Sequence, residues 1–126
     1  MQSDSQVRMD HLWDARDRVL MGPKRQLPKD QKSNQIAAFH EAGHAIAAIY
    51  TPGSTPLHKV TIIPRGKSGG HTSFLDEVDT NYQTRQQLIA QLDVAMGGRV
   101  GEELVFGSDQ VTTGASNDFE ASSFCI

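Results

Sequence analysis

Residues 34–50 read Asn-Gln-Ile-Ala-Ala-Phe-His-Glu-Ala-Gly-His-Ala-Ile-Ala-Ala-Ile-Tyr. Ile36, Phe39, Gly43, Ile46 and Ile49 or Tyr50 recur at intervals of three and four, the spacing of one helix face. Six alanines between Ala37 and Ala48 add helix propensity, and Thr51-Pro52-Gly53 closes the element. The pattern predicts a helix from Ser33 or Asn34 to about Tyr50. Within it, His40-Glu41-Ala42-Gly43-His44 spells H-E-x-x-H. Four residues is close to one turn, so both imidazoles leave the same face and can share one Zn²⁺ at about 2.0–2.1 Å. Glu41, about 100° further round, can reach a water on that ion without ligating it, which suits a general base. As a chance match, the motif would bury two imidazoles among Ala and Ile at a real cost. Gly43 in mid-helix costs about 1 kcal/mol relative to Ala, and a close backbone approach on the metal side explains it.

Outward from this helix the pattern is mixed. Before it, residues 1–22 form a helix with a ragged apolar face (Val7, Leu12, Trp13, Val19, Leu20), stopped by Gly22-Pro23. Trp13 reads as a packing residue there, and Lys24 to Lys32 is a polar linker broken again at Pro28. After it, Lys59 to Pro64 is β-branched and reads as a strand, Arg65 to Gly70 as a loop, and His71 to Leu75 as a second strand. Asp76 to Asn81 is an acidic connection whose Asp76, Glu77 and Asp79 read as a solvated turn. Thr84 with Gln87 is a capping box opening a helix with Leu88, Leu92 and Ala95 inward. Gly97-Gly98 is expected to interrupt that helix, which resumes through Leu104 and is capped by Gly107. Ser108 to Thr113 is a loop, and Ser116 caps a last helix from Asn117. The fold class is α+β, mostly helical, with the H-E-x-x-H helix beside a small sheet.

Composition narrows the function. The 126 residues allow one ordinary domain, and a formal charge of −3 removes the electrostatic case for nucleic acid. The single cysteine, Cys125, excludes a disulfide framework and a Cys-based zinc ribbon. No apolar run approaches the roughly 20 residues that span a bilayer, and Met1 to Asp10 is polar and mixed in charge, unlike a signal or transit peptide. Gly66-Lys67-Ser68 resembles the end of a phosphate-binding loop, but the glycine required five residues earlier is Thr61.

A catalytic zinc takes a third protein ligand and keeps a fourth position open. His11, His58, His71, Asp76, Glu77, Asp79, Asp93, Glu102, Glu103, Asp109, Asp118 and Glu120 are the candidates, and spacing does not choose among them. Asp118 follows a small-residue turn, Thr112 to Asn117, that can hold a carboxylate toward another helix; equally, it can complement a helix N-terminus. Arg99 can pair with Glu102 or Glu103 at helical spacing, and those two glutamates are candidates to support the histidines from behind.

Four segments in order carry a resemblance: His40 to Ala45, Lys59 to Gly66, Met96-Gly97-Gly98-Arg99-Val100-Gly101-Glu102-Glu103-Leu104, and Thr113-Gly114-Ala115-Ser116-Asn117-Asp118. Together they resemble the peptidase domain of the FtsH-type membrane-anchored AAA+ zinc metalloproteases. The wording of Asp93 to Val100 and Asp118-Phe119-Glu120 is most similar to the mitochondrial i-AAA branch. The resemblance implies that His40, His44 and Asp118 bind zinc and that Glu41 is catalytic. It implies a metalloendopeptidase in which Glu41 deprotonates a water acidified by zinc, and which cleaves unfolded or membrane-protein polypeptides laid along the two strands. It further implies a homo-hexamer, ATP and Mg²⁺ used only by an ATPase module outside this sequence, and a membrane reached only through segments also outside it. The implied location is the mitochondrial inner membrane, with a plastid or bacterial membrane as the alternative. Residues 1–32 then correspond to the end of an AAA+ lid and its linker, and 33–126 to the front part of a peptidase domain cut short. The competing expectation is an incompetent fragment that acts only by binding subunits or substrates.

Overall fold

The computed structural model describes residues 6–75 and 82–123. The decisive helix, α2, spans Gln31–Tyr50, after the shorter α1 at Met9–Met21. It begins earlier than the apolar pattern predicts because Asp30 caps it, its carboxylate accepting the N–H groups of Lys32 and Ser33 at 3.1 Å each. Strands β1 (Leu57–Thr61) and β2 (His71–Phe74) form a two-stranded antiparallel sheet with Val60 opposite Thr72 and Thr61 opposite His71. β1 ends at Thr61 rather than Pro64 because the chain there turns to the α1–α2 linker, where the Pro64 carbonyl accepts the Arg25 N–H.

Helix α3 (Arg85–Phe106) opens on the expected capping box between Thr84 and Gln87 and closes at Gly107, whose φ is +87°. It runs uninterrupted through Gly97-Gly98, contrary to the expected break. Those glycines thin the helix without breaking its hydrogen-bond ladder. A Cβ on Gly43 would collide with the Gly97 carbonyl, one on Gly97 would lie 2.6 Å from the Gly43 carbonyl, and one on Gly101 would lie 2.5 Å from the Phe39 carbonyl. α2 and α3 therefore cross backbone to backbone, which no side chain at these positions would permit.

This crossing decides which face of α2 is buried. His40, Glu41, His44, Ala45 and Ala48 turn inward, while Phe39, Ile46, Ile49 and Tyr50 are exposed. The apolar stripe read from the sequence is thus not the core of this chain; the core consists of small residues with polar groups among them. On α3 the deepest positions are likewise Ala90, Val94, Gly97, Gly98 and Glu102, with Leu88, Leu92 and Ala95 only partly covered.

Beyond α3, the segment from Ser108 to Ala115 contains two 3₁₀ turns, Ser108–Gln110 and Thr113–Ala115, the second leading into α4 (Ser116–Ser123). At the other end, α1 is tied to the hairpin by charge. Lys59 pairs with the buried Asp17, and Arg65 and Lys24 both reach Asp14 Oδ1 at 2.6 Å. The Trp13 ring packs on His58 with centroids 4.5 Å apart, as a packing residue should. The expected solvated turn at Asp76, Glu77 and Asp79, and Cys125, lie outside the described residues. No helix among the described residues is long and apolar enough to cross a membrane.

Candidate metal centre

One turn of α2 places His40 and His44 on its inward face, with their Nε2 atoms 3.1 Å apart. Asp118, in the first turn of α4, brings Oδ2 to 3.2 Å from the His40 Nε2 and 3.4 Å from that of His44. These three side chains are the group of potential metal ligands that the described residues assemble. Ligand atoms around a tetrahedral ion with bonds of about 2.0–2.1 Å lie roughly 3.3 Å from one another, so the observed triangle already has zinc dimensions.

The rings are oriented from behind. His40 Nδ1 donates to Glu102 Oε1 at 2.8 Å and His44 Nδ1 to the Val94 carbonyl at 2.7 Å. With Nδ1–H fixed by these acceptors in the neutral rings, both Nε2 lone pairs point at the Asp118 carboxylate. Three electron-pair donors converging on one point need a cation among them, whether a metal or shared protons. Space for it exists because residue 98 is glycine: a Cβ there would sit 2.5 Å from His44 Nε2 and 2.7 Å from His40 Nε2. The donor set and this cradle fit zinc.

Glu102 does more than the sequence could assign to it. Its side chain is fully buried, and its second oxygen accepts the Thr112 N–H at 2.8 Å. One carboxylate therefore joins the α2 histidine to the turn that delivers Asp118. Glu103, the other candidate, faces outward and pairs with Arg99 at 3.7 Å instead.

Electrostatics agree with a convergent cation site. Burial by itself would lower both imidazole pKa values, but Asp118 outweighs it, helped by Glu102 at His40 and by the Val94 carbonyl at His44, and both end above the ordinary histidine value. Burial would likewise raise Asp118, yet the two imidazoles hold it down at about 2.

Glu41 stands next to this group of candidate ligands without joining it. It is 7% exposed, and its Oε2 accepts the Thr72 hydroxyl at 2.6 Å. All four residues line a cleft of about 760 Å³ whose walls include Ile36, Val94 and Phe74, with β2 along one side. Of the other histidines, His71 lines this cleft, His58 lies against Trp13, and His11 accepts the Arg8 N–H at the start of α1. Asp93, Asp109 and Glu120 are exposed, away from the ligand group. Sequence reasoning missed Thr72, the Val94 carbonyl and Gly98. A backbone carbonyl carries no sequence signal, and only the mid-helix Gly97-Gly98 pair hinted at close approach.

An H-E-x-x-H helix whose two imidazoles meet one carboxylate in a group that could hold a metal, with a glutamate beside it over a cleft, is the arrangement of the zinc-dependent peptidases. The sequence profile of peptidase family M41 matches residues 28–124, and the chain belongs to that family. It is 63% identical over 94% of its length to a Schistosoma mansoni protein named ATP-dependent zinc metalloprotease YME1 homolog. Against human ATP-dependent zinc metalloprotease YME1L1 it is 53% identical over 90% of its length. Against the Arabidopsis thaliana ATP-dependent zinc metalloprotease FTSH 11, chloroplastic/mitochondrial, it is 47% identical over 86%. These matches bear out the FtsH-type, i-AAA resemblance. The chain spans only 18%, 15% and 14% of those three proteins.

Proposed function

We propose that this chain is the catalytic portion of an ATP-dependent zinc metalloendopeptidase, with His40, His44 and Asp118 holding the zinc and Glu41 as its base. The observation that carries this reading is the triangle of two Nε2 atoms and one Oδ2, all within 3.4 Å, with Glu41 beside it in the same cleft. Zinc, when bound, supplies Lewis acidity that acidifies a water and polarises a peptide carbonyl. Glu41 takes the proton of the attacking water at a carboxylate oxygen and delivers it to the departing amine nitrogen. Glu102 keeps the His40 Nε2 lone pair turned toward the metal, and the Val94 carbonyl does so for His44. β2 has no strand partner opposite β1 among the described residues, so an extended polypeptide can add hydrogen bonds there and lie across the cleft.

The same reading assigns residues 1–32 to a lid-and-linker segment and 33–126 to the peptidase part. Its substrates are unfolded or membrane-protein polypeptides, its assembly a homo-hexamer, and its site the mitochondrial inner membrane. ATP and Mg²⁺ serve a neighbouring ATPase module. The relatives' names, ATP-dependent zinc metalloprotease and, for the Arabidopsis protein, chloroplastic/mitochondrial, support the ATP-dependent protease and an organelle. The lid segment, the substrates, the hexamer and the inner membrane rest on the resemblance of the motifs alone.

Zinc stoichiometry measured alongside casein cleavage tests the proposal. Wild type and Glu41→Gln should each bind about one zinc, in line with a single three-ligand site, and only wild type should cleave. His44→Ala and Asp118→Ala should lose the metal. A chain that binds no zinc, or a Glu41→Gln variant that still cleaves, sinks it. A second reading, binding without turnover, is favoured by the exposed Ile46, Ile49, Tyr50 and Leu104 on the outer faces of α2 and α3. Zinc uptake without cleavage selects that one.

A further inference from the structure

The base itself is held by the hairpin. Thr72 is 8% exposed, and its Oγ1 lies 2.6 Å from Glu41 Oε2 and 3.2 Å from the Glu41 carbonyl oxygen. A hydroxyl has one proton to give, and the nearer, charged acceptor takes it. Two residues back along the chain, Gly70 contributes by having no side chain. A Cβ there would lie 2.9 Å from Glu41 Cγ, from its Oε1 and from the Thr61 carbonyl. One carboxylate oxygen is thus bound by a hydroxyl while the other lies in space that any larger residue at position 70 would fill.

Resting on the reading of Glu41 as the base, we propose that Gly70 and Thr72 form the socket of the Glu41 carboxylate and that Thr72 is its positioning residue. A glutamate has three side-chain torsions, whereas a general base must stay within about 2.6–3.2 Å of the proton it removes. Helix α2 fixes only the Cα of Glu41, and the Thr72 hydroxyl fixes the far end. Thr72 is outside the ligand triangle, so its effect falls on proton transfer and not on metal retention. The base is consequently aligned by the strand that borders the cleft, whereas the metal is aligned by α2, α3 and α4.

Thr72→Val keeps the shape and removes the proton donor; Thr72→Ser keeps the donor. In the metal-free chain, scalar couplings of the Glu41 methylenes should report one rotamer for wild type and Thr72→Ser, and averaging for Thr72→Val. In the zinc-loaded chain, Thr72→Val should keep zinc stoichiometry and KM while kcat falls roughly ten- to a hundredfold, the size of a lost hydrogen bond to a charged group. Thr72→Ser should restore most of that loss. The proposal is overturned if Glu41 stays in one rotamer in Thr72→Val, if kcat is unchanged, or if zinc is lost together with cleavage. Should wild type itself fail to cleave, the assignment of Glu41 as the base of this chain fails, while the rotamer measurement still decides whether Thr72 positions it.

Discussion

Two junctions hold this molecule together, and they are built from opposite materials. Where α2 crosses α3, Gly43, Gly97 and Gly101 let backbone touch backbone, and the polar groups between the helices are buried and neutral or paired. Where α1 meets the hairpin, charged side chains do the holding: Asp17 with Lys59, and Asp14 with Arg65 and Lys24. The first junction sets the positions of the candidate ligands His40 and His44 through steric contact, and steric contact itself is insensitive to salt and to moderate pH change. The second is Coulombic and answers to both. The candidate metal group is thus built on the part that cannot adjust, and the hairpin beside it is fastened by a part that can.

The largest expected effect comes from forcing a side chain into the steric junction. Gly43→Val should destabilise the chain by at least about 3 kcal/mol, because overpacking here pushes on the Gly97 backbone rather than on a side chain that can turn away. Zinc binding should be lost with it, since moving α3 displaces both the Val94 carbonyl and Glu102. Urea unfolding of the metal-free variant checks this. A midpoint unchanged from wild type would mean that the crossing is softer than its contacts imply.

How legible this junction was in the sequence depends on the residue. His40, Glu41 and His44 were readable because helical spacing alone puts two imidazoles on one face. Gly43 was readable as a close approach, but its partner was not, because the contact is between main chains 54 residues apart, from Gly43 to Gly97. The same contact explains why the apolar stripe misled: Gly43, a member of it, lies at the crossing, yet Phe39, Ile46 and Ile49 leave their side chains exposed and the buried side chains are His40, Glu41, His44, Ala45 and Ala48. Asp118 was one of many acidic candidates by spacing, and only a family resemblance selected it. Glu102 was visible as a candidate, but its double role depends on a turn ten residues later reaching back to it.

Glu102→Ala is the next effect in size. It removes the acceptor for His40 Nδ1–H and for the Thr112 N–H at once, leaving one buried and one part-buried donor without their partner. Zinc affinity should fall roughly ten- to a hundredfold, the usual cost of losing a group that orients a metal-binding histidine. Calorimetric titration with zinc measures it. If affinity instead stayed within twofold of wild type, the rigidity of the ligand triangle would have to come from the glycine crossing alone. Comparison with Gly43→Val therefore separates the two contributions.

The smallest effect probes the charged junction. Burial by itself would raise the Asp17 pKa, but Lys59, aided by Arg65 and Arg16, lowers it; at the more exposed Asp14, hydrogen bonds from Lys24 and then Arg65 lower it against a smaller burial effect. A carboxylate whose folded pKa lies below its unfolded value stabilises the fold above that unfolded value, about 3.9, and loses this contribution as pH falls through the folded one. Acidifying the metal-free chain from pH 5 should therefore loosen α1 progressively below about pH 4. Trp13 reports on the docking, because its ring rests against His58 on β1. Its fluorescence should shift in that window, and more salt at pH 7 should move it the same way by a smaller amount. Asp118 loses its own contribution only toward about pH 2, so α2 and α3 should keep their far-ultraviolet helix signal while α1 lets go. Substituting Lys24, whose pair with Asp14 is half-exposed on both sides, should cost less than about 1 kcal/mol. Arg65→Met should cost more, since Arg65 is 4% exposed and its loss leaves the Gly22 carbonyl without that donor. If acid moved the Trp13 and helix signals together, the two junctions would be one cooperative unit, and the division between a fixed site and an adjustable approach would fall.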